Sequence, residues 1–205
     1  MKLFLDDTKP LYTCKEKSCE KCDVANLLNC HFHLKQLLLF LSFGLLIFII
    51  GGIGITRFSG WALLIWFIFI LSYFGLIEIR VMCSHCPHYA EPELKSLKCW
   101  ANYGSPKLWK YRPGPMSLIE KIIFFAGLFI IFLFPVPLMM LSKDFILLVI
   151  YVFLLVLATY LLKTFYCAKC MNFACPLNKV SAEIQEKFYR HNDTIYNAQR
   201  KNSKI

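Results

Sequence analysis

Ten cysteines in 205 residues are the side chains best able to do chemistry, and they fall into three groups. Cys14, Cys19, Cys22 and Cys30 come first, Cys83, Cys86 and Cys99 lie mid-chain, and Cys167, Cys170 and Cys175 come late. The second and third groups each open on a CxxC pair. A two-residue gap lets both sulfurs turn toward one ion, so four thiolates from two such pairs suit tetrahedral Zn²⁺ or an iron–sulfur centre.

The two pairs sit in a short internal repeat. Cys83-Ser84-His85-Cys86-Pro87-His88-Tyr89-Ala90 aligns without a gap with Cys167-Ala168-Lys169-Cys170-Met171-Asn172-Phe173-Ala174. Cysteine meets cysteine twice, Tyr89 meets Phe173 and Ala90 meets Ala174. Cys99 and Cys175 are natural supplements to a site built from Cys83, Cys86, Cys167 and Cys170.

The elements that must position these thiols are membrane helices. The chain is 58% hydrophobic with mean hydropathy +0.53, too apolar for an ordinary soluble domain of this size. Its apolar residues bunch into four runs: Leu37 to Ile55, Trp61 to Ile77, Ile122 to Leu141 and Phe145 to Leu162. Each is long enough to span a bilayer and none contains Asp, Glu, Lys, Arg or His. The second can extend to Glu78, whose charge reaches the headgroups from a helix end. Short turns at Arg57 to Gly60 and Ser142 to Asp144 make the runs two hairpins in the same orientation, a parallel repeat about an axis along the membrane normal.

The fold class expected is therefore an all-α membrane protein: four transmembrane helices as two parallel-repeated hairpins, with a Cys-rich irregular cytoplasmic lobe. Residues 1–36 form an N-terminal Cys-rich arm, 37–77 hairpin 1, 78–120 a Cys, aromatic and basic loop, 121–162 hairpin 2, and 163–205 a Cys-rich segment with a polar tail. Of the 23 Lys and Arg residues, 21 lie on the Cys-bearing face and two, Arg57 and Lys143, on the other. The positive-inside rule then puts the thiols and both termini in the cytoplasm, with the plasma membrane as the expected location. Cytosolic thiols are kept reduced, which favours metal ligation or redox chemistry over a disulfide scaffold.

Cys14-x₄-Cys19-x₂-Cys22 shares its spacing with the opening of plant-type [2Fe–2S] motifs, but 36 residues cannot hold the β-rich domain that carries those. A short loop around zinc or a cluster is expected, with His31 or His33 as further ligands and Cys30 as the fourth thiol. Metal would supply most of its folding free energy. The alternative is a solvated, Lys-rich arm with incidental thiols.

Other classes lose ground on composition. No histidine lies in a span, so intramembrane haem lacks axial ligands, and the spans lack the ionisable groups of a transport route. No catalytic base, nucleotide loop or hydrolytic triad stands out. The segment from Trp100 to Pro115 should lie along the headgroups, with an anionic ligand or acidic redox partner on Lys107, Lys110 and Arg112 as the alternative. Val180, Ile184 and Phe188 predict a short amphipathic helix, with a frayed polar tail from about Asn192. Gly44, Gly51, Gly52, Gly54, Gly75, Ala126 and Gly127 predict close helix contacts, and Pro135 and Pro137 a bend.

The function expected is a multi-pass protein with a cysteine-ligated iron–sulfur or zinc site that passes electrons or metal to or from a membrane or redox protein partner. Its other partner is the lipid bilayer, and no nucleic-acid module is present. The competing readings are a structural-zinc adaptor without redox change and a membrane thiol–disulfide oxidoreductase, which would need a free CxxC of low pKa.

Overall fold

The computed structural model describes residues 9–202 of the chain; the outermost residues of the arm and of the tail lie outside that range. Four helices are long and apolar enough to cross a membrane: Leu34–Phe58, Gly60–His85, Leu118–Leu141 and Phe145–Lys169. Their outward faces carry apolar side chains such as Ile65, Phe67, Ile146 and Phe153 in the open, as a helix facing lipid requires.

Each span continues past its apolar run at the end nearest the cysteines. The second is α-helical over Gly60–Ser72 (α2), loosens into a π-helical turn over Tyr73–Ile77, and resumes over Glu78–Val81 (α3). The fourth does the same, from Phe145–Leu161 (α6) into a π-helical turn over Leu162–Tyr166. Both then tighten into a 3₁₀ turn on the first three residues of the CxxC. Helical hydrogen bonding needs no apolar side chain, so the polar residues there do not stop it. The first span is one helix, Leu34–Phe58 (α1).

The third span begins at a complete capping box. Ser117 accepts from the Glu120 backbone, and the Glu120 carboxylate accepts from the Ser117 backbone at 2.9 Å. It breaks at Phe134 into Leu118–Leu133 (α4) and Pro135–Leu141 (α5), where the prolines fall. Pro135 has no N–H to give the carbonyl four residues back. Trp66 replaces it: the indole Nε1–H donates to the Ile131 carbonyl at 2.9 Å. Tyr73 and Tyr151 likewise donate to Phe124 and Phe132 carbonyls of the same span, at 2.7 Å and 3.0 Å. Gly51, Gly54 and Gly127 are the small residues that admit close neighbours, whereas Gly44 and Gly75 face open space.

Both hairpin turns lie at one end of the bundle, where Arg57 pairs with Asp144 at 2.5 Å. The three Cys-bearing segments gather at the other. Residues 9–33 form a series of turns around Leu11, Val24 and Leu28, all buried. The middle segment folds a small antiparallel hairpin, Ser96–Lys98 (β1) with Tyr103–Pro106 (β2). The tail forms the expected amphipathic helix over Ala182–Arg190 (α7). It does not fray at Asn192: a further helix spans Asp193–Asn202 (α8), with Asn192 and Ile195 buried against the arm. The polar run hides this helix because only Ile195 marks its inner face.

Candidate metal centre

Each CxxC sits where a membrane helix ends, and the two share one local geometry. The second cysteine closes the turn by donating its N–H to the carbonyl of the first, at 2.9 Å for Cys86 on Cys83 and 3.5 Å for Cys170 on Cys167. Both closing cysteines then leave the helix in extended conformation. The residues between the thiols of the first pair are anchors. The Ser84 hydroxyl donates to the Arg80 carbonyl at 2.7 Å, and His85 Nδ1–H donates to the Gly114 carbonyl at 3.0 Å. Arg112 reaches Ser84 and also pairs with Glu120, which pairs with Arg80. This network pins the first motif to the start of the third span.

Backbone and side-chain bonds tie the two motifs together. The Asn172 amide donates to the Met82 carbonyl at 3.2 Å. Asn29 in the arm joins both: its N–H donates to the Lys169 carbonyl at 2.8 Å, and His88 Nε2–H donates to its carbonyl at 3.4 Å. Asn178 donates to the Cys170 carbonyl at 2.6 Å and so holds the second motif from its far side.

Six thiols stand at or just beyond the two motifs, three in each segment. Cys83, Cys86 and Cys99 come from the middle segment, with Cys99 at the tip of the β1–β2 hairpin. Cys167, Cys170 and Cys175 come from the tail. Cys86 is close enough to feel the charge of Cys170, Cys99 and Cys175, and Cys170 that of Cys175, Cys99 and Cys167. The charge of Cys99 likewise reaches Cys83, and that of Cys167 reaches Cys175. Four of the sulfurs face a backbone N–H two residues on: His88 for Cys86, Ala101 for Cys99, Asn172 for Cys170 and Leu177 for Cys175. Asn102 adds a second to Cys99 at 3.2 Å.

Burial dominates the electrostatics. It raises Cys86 well above the usual thiol range, and pushes Cys170 up to about 12 and Cys99 and Cys175 to about 11. Without a cation these groups are protonated thiols. Burial also pulls His88 down to about 4, leaving a neutral ring whose buried Nδ1 has no partner.

The other four cysteines line a separate cavity of about 20 Å³ between arm and tail, with Leu11, Val24, Phe188 and His191 around it. Cys30 is the most enclosed. Burial, then the charges of Cys14, Cys22 and Cys19, raises it to about 12. Asn192 donates to Cys14 Sγ at 3.0 Å, and Lys15 N–H donates to the His191 carbonyl at 2.9 Å, so the tail closes the arm. Of the two histidines expected nearby, His31 is buried with Nε2 at 3.0 Å from the Lys9 carbonyl and 3.8 Å from Cys19 Sγ, and His33 is exposed at the start of α1.

Sequence spacing does not reveal that Lys107 and Arg112 are engaged internally, the first with the Glu91 carbonyl and the second with Glu120. Lys110 is exposed. Trp100 turns inward onto Tyr166 and Phe40. Comparison with family models, with curated proteins and with solved structures finds no match to this chain.

Proposed function

We propose that the junction of the two CxxC motifs is a metal centre, and that Cys86, Cys99, Cys170 and Cys175 are its principal ligands with Cys83 and Cys167 beside them. The observation that carries this reading is that Cys86, Cys99, Cys170 and Cys175, at the hydrogen-bonded junction of the two motifs, each have a backbone N–H beside the sulfur. Such N–H groups stabilise a sulfur that carries negative charge, and hydrogen bonds to the sulfurs tune a cluster's potential. A neutral buried thiol gains little from them.

The sulfurs are not gathered as a closed zinc site would hold them. A closed zinc site with Zn–S of about 2.3 Å sets its sulfurs about 3.8 Å apart. Among the described residues no three cysteine sulfurs come within 4.8 Å of one another. An iron–sulfur cluster, which spreads its thiolates over several irons, is the group proposed in its place. On this reading the protein is a membrane-anchored electron carrier, with the positive face of the bundle and its thiols in the cytoplasm, exchanging single electrons with a membrane or redox protein partner.

The oxidoreductase reading is weaker, because a reactive CxxC needs a thiol of lowered pKa and burial here acts in the opposite direction. Anaerobic purification with iron, sulfide and zinc analysis tests the proposal. Iron with inorganic sulfide and a brown colour bleached by dithionite is expected; stoichiometric zinc in a colourless protein would establish the structural-zinc adaptor instead.

A further inference from the structure

We infer that the arm and tail together hold a second iron–sulfur cluster, ligated by Cys14, Cys19, Cys22 and Cys30 and separate from the junction. The four sulfurs surround one cavity of about 20 Å³. That is room for about one water-sized sphere between the four thiols. No three of these sulfurs come within 4.8 Å of one another, as at the junction.

The rest of the pocket is built to hold charged sulfur. Asn192 is fully buried and aims its amide N–H at Cys14 Sγ, while its carbonyl oxygen has no partner. Four thiolates in so enclosed a space repel one another, and a cationic iron–sulfide core relieves that repulsion. A competing trio, Cys22, Asp23 and His191, has its ligand atoms within 4.8 Å of one another. It is a poor metal site, because both ring nitrogens of His191 are already occupied, Nδ1 by Glu16 at 2.9 Å and Nε2 by Asp23 at 2.8 Å.

The two centres touch one core. Cys30 and Cys86 belong to the same buried cluster with Leu11, Val24, Met171 and Phe188. The Asn29 peptide beside Cys30 is hydrogen-bonded to His88 and Lys169 of the two CxxC motifs.

The test uses the full-length chain, purified anaerobically in detergent after expression with added iron. A variant carrying Cys14→Ser and Cys30→Ser is compared with one carrying Cys86→Ser and Cys170→Ser by iron and sulfide content and by electron paramagnetic resonance after dithionite. The arm variant should lose iron, sulfide and one reduced-state signal, and keep whatever metal and signal the junction variant loses. Should the arm variant keep all the wild-type iron and sulfide, or the wild-type arm hold zinc, the inference is overturned even if the junction proves to be a cluster. A junction variant that keeps all the wild-type iron, sulfide and signal, these being lost only on changing the arm, upholds this centre while sinking the junction proposal. Because metal loss can unfold the arm, the single Cys19→Ser variant is measured alongside; its altered or lost signal with wild-type circular dichroism is expected, and an unchanged signal counts against ligation by Cys19.

Discussion

The side-chain amide of Asn172 donates to the backbone carbonyl of Met82 at 3.2 Å. Asn172 lies two residues after the second CxxC and Met82 directly before the first, so one hydrogen bond joins the ends of two membrane spans at the thiols. It is a specific bond between segments 90 positions apart, and it fixes how far the two motifs can separate.

Replacing Asn172 by Ala should therefore loosen the junction. Loss of a buried hydrogen bond of this type costs about 1–2 kcal/mol, and the Met82 carbonyl is left without its partner. Faster release of metal to a chelator and a lower melting temperature are expected. Retention and stability equal to wild type would show that the bond does not hold the site.

Among the ten thiols the junction ligands should be separable from their neighbours. Cys86→Ser or Cys170→Ser should abolish metal at the junction, while Cys167→Ser, whose thiol is less enclosed than that of Cys170, should reduce it less. Metal content of each purified variant decides the ranking.

Within the bilayer, Trp66 and Pro135 make a paired prediction. Trp66→Phe removes the donor to Ile131 and should cost about 1 kcal/mol, in keeping with interhelical hydrogen bonds in membranes. In a Pro135→Ala background the helix regains its own N–H for that carbonyl. The same Trp66 change should then cost less, which a double-mutant cycle of thermal unfolding measures.

Gly127→Ala should be destabilising by about 1–3 kcal/mol through overpacking. A Cβ there would stand 1.8 Å from Cε2 of Tyr73, a buried ring held by its bond to the Phe124 carbonyl. A lowered unfolding temperature in detergent checks it, and Gly44→Ala, which meets nothing within 4 Å, is the control.

The ends of the bundle offer a test of topology. Arg57 and Asp144 are paired across the two turns, so Arg57→Cys with Asp144→Cys should crosslink in membranes. In the single Arg57→Cys variant, an impermeant thiol reagent added outside intact cells should reach the new thiol. Labelling only after permeabilisation would invert the orientation drawn from the Lys and Arg distribution.

Much of this architecture was legible before any coordinates. Runs free of charge announce membrane spans because a bilayer leaves the backbone no other choice, and Pro135 flagged the break in the third. What spacing could not show is which distant groups meet. The sequence offers Cys99 as a supplement to the paired motifs, but nothing in the order of residues links Asn192 in a polar tail to Cys14. The π-helical turns at Tyr73–Ile77 and Leu162–Tyr166 were equally hidden, since they reset helix register without a marker residue. The tail helix from Asp193 was missed because its inward face offers little apolar periodicity.

The most direct test of the junction is electron paramagnetic resonance on the anaerobically purified protein, before and after dithionite, against the Cys86→Ser, Cys170→Ser variant. A reduced-state iron–sulfur signal present in the wild type and missing from the variant is the result predicted. A variant spectrum and iron content indistinguishable from wild type would contradict a metal centre at the meeting of the two CxxC motifs.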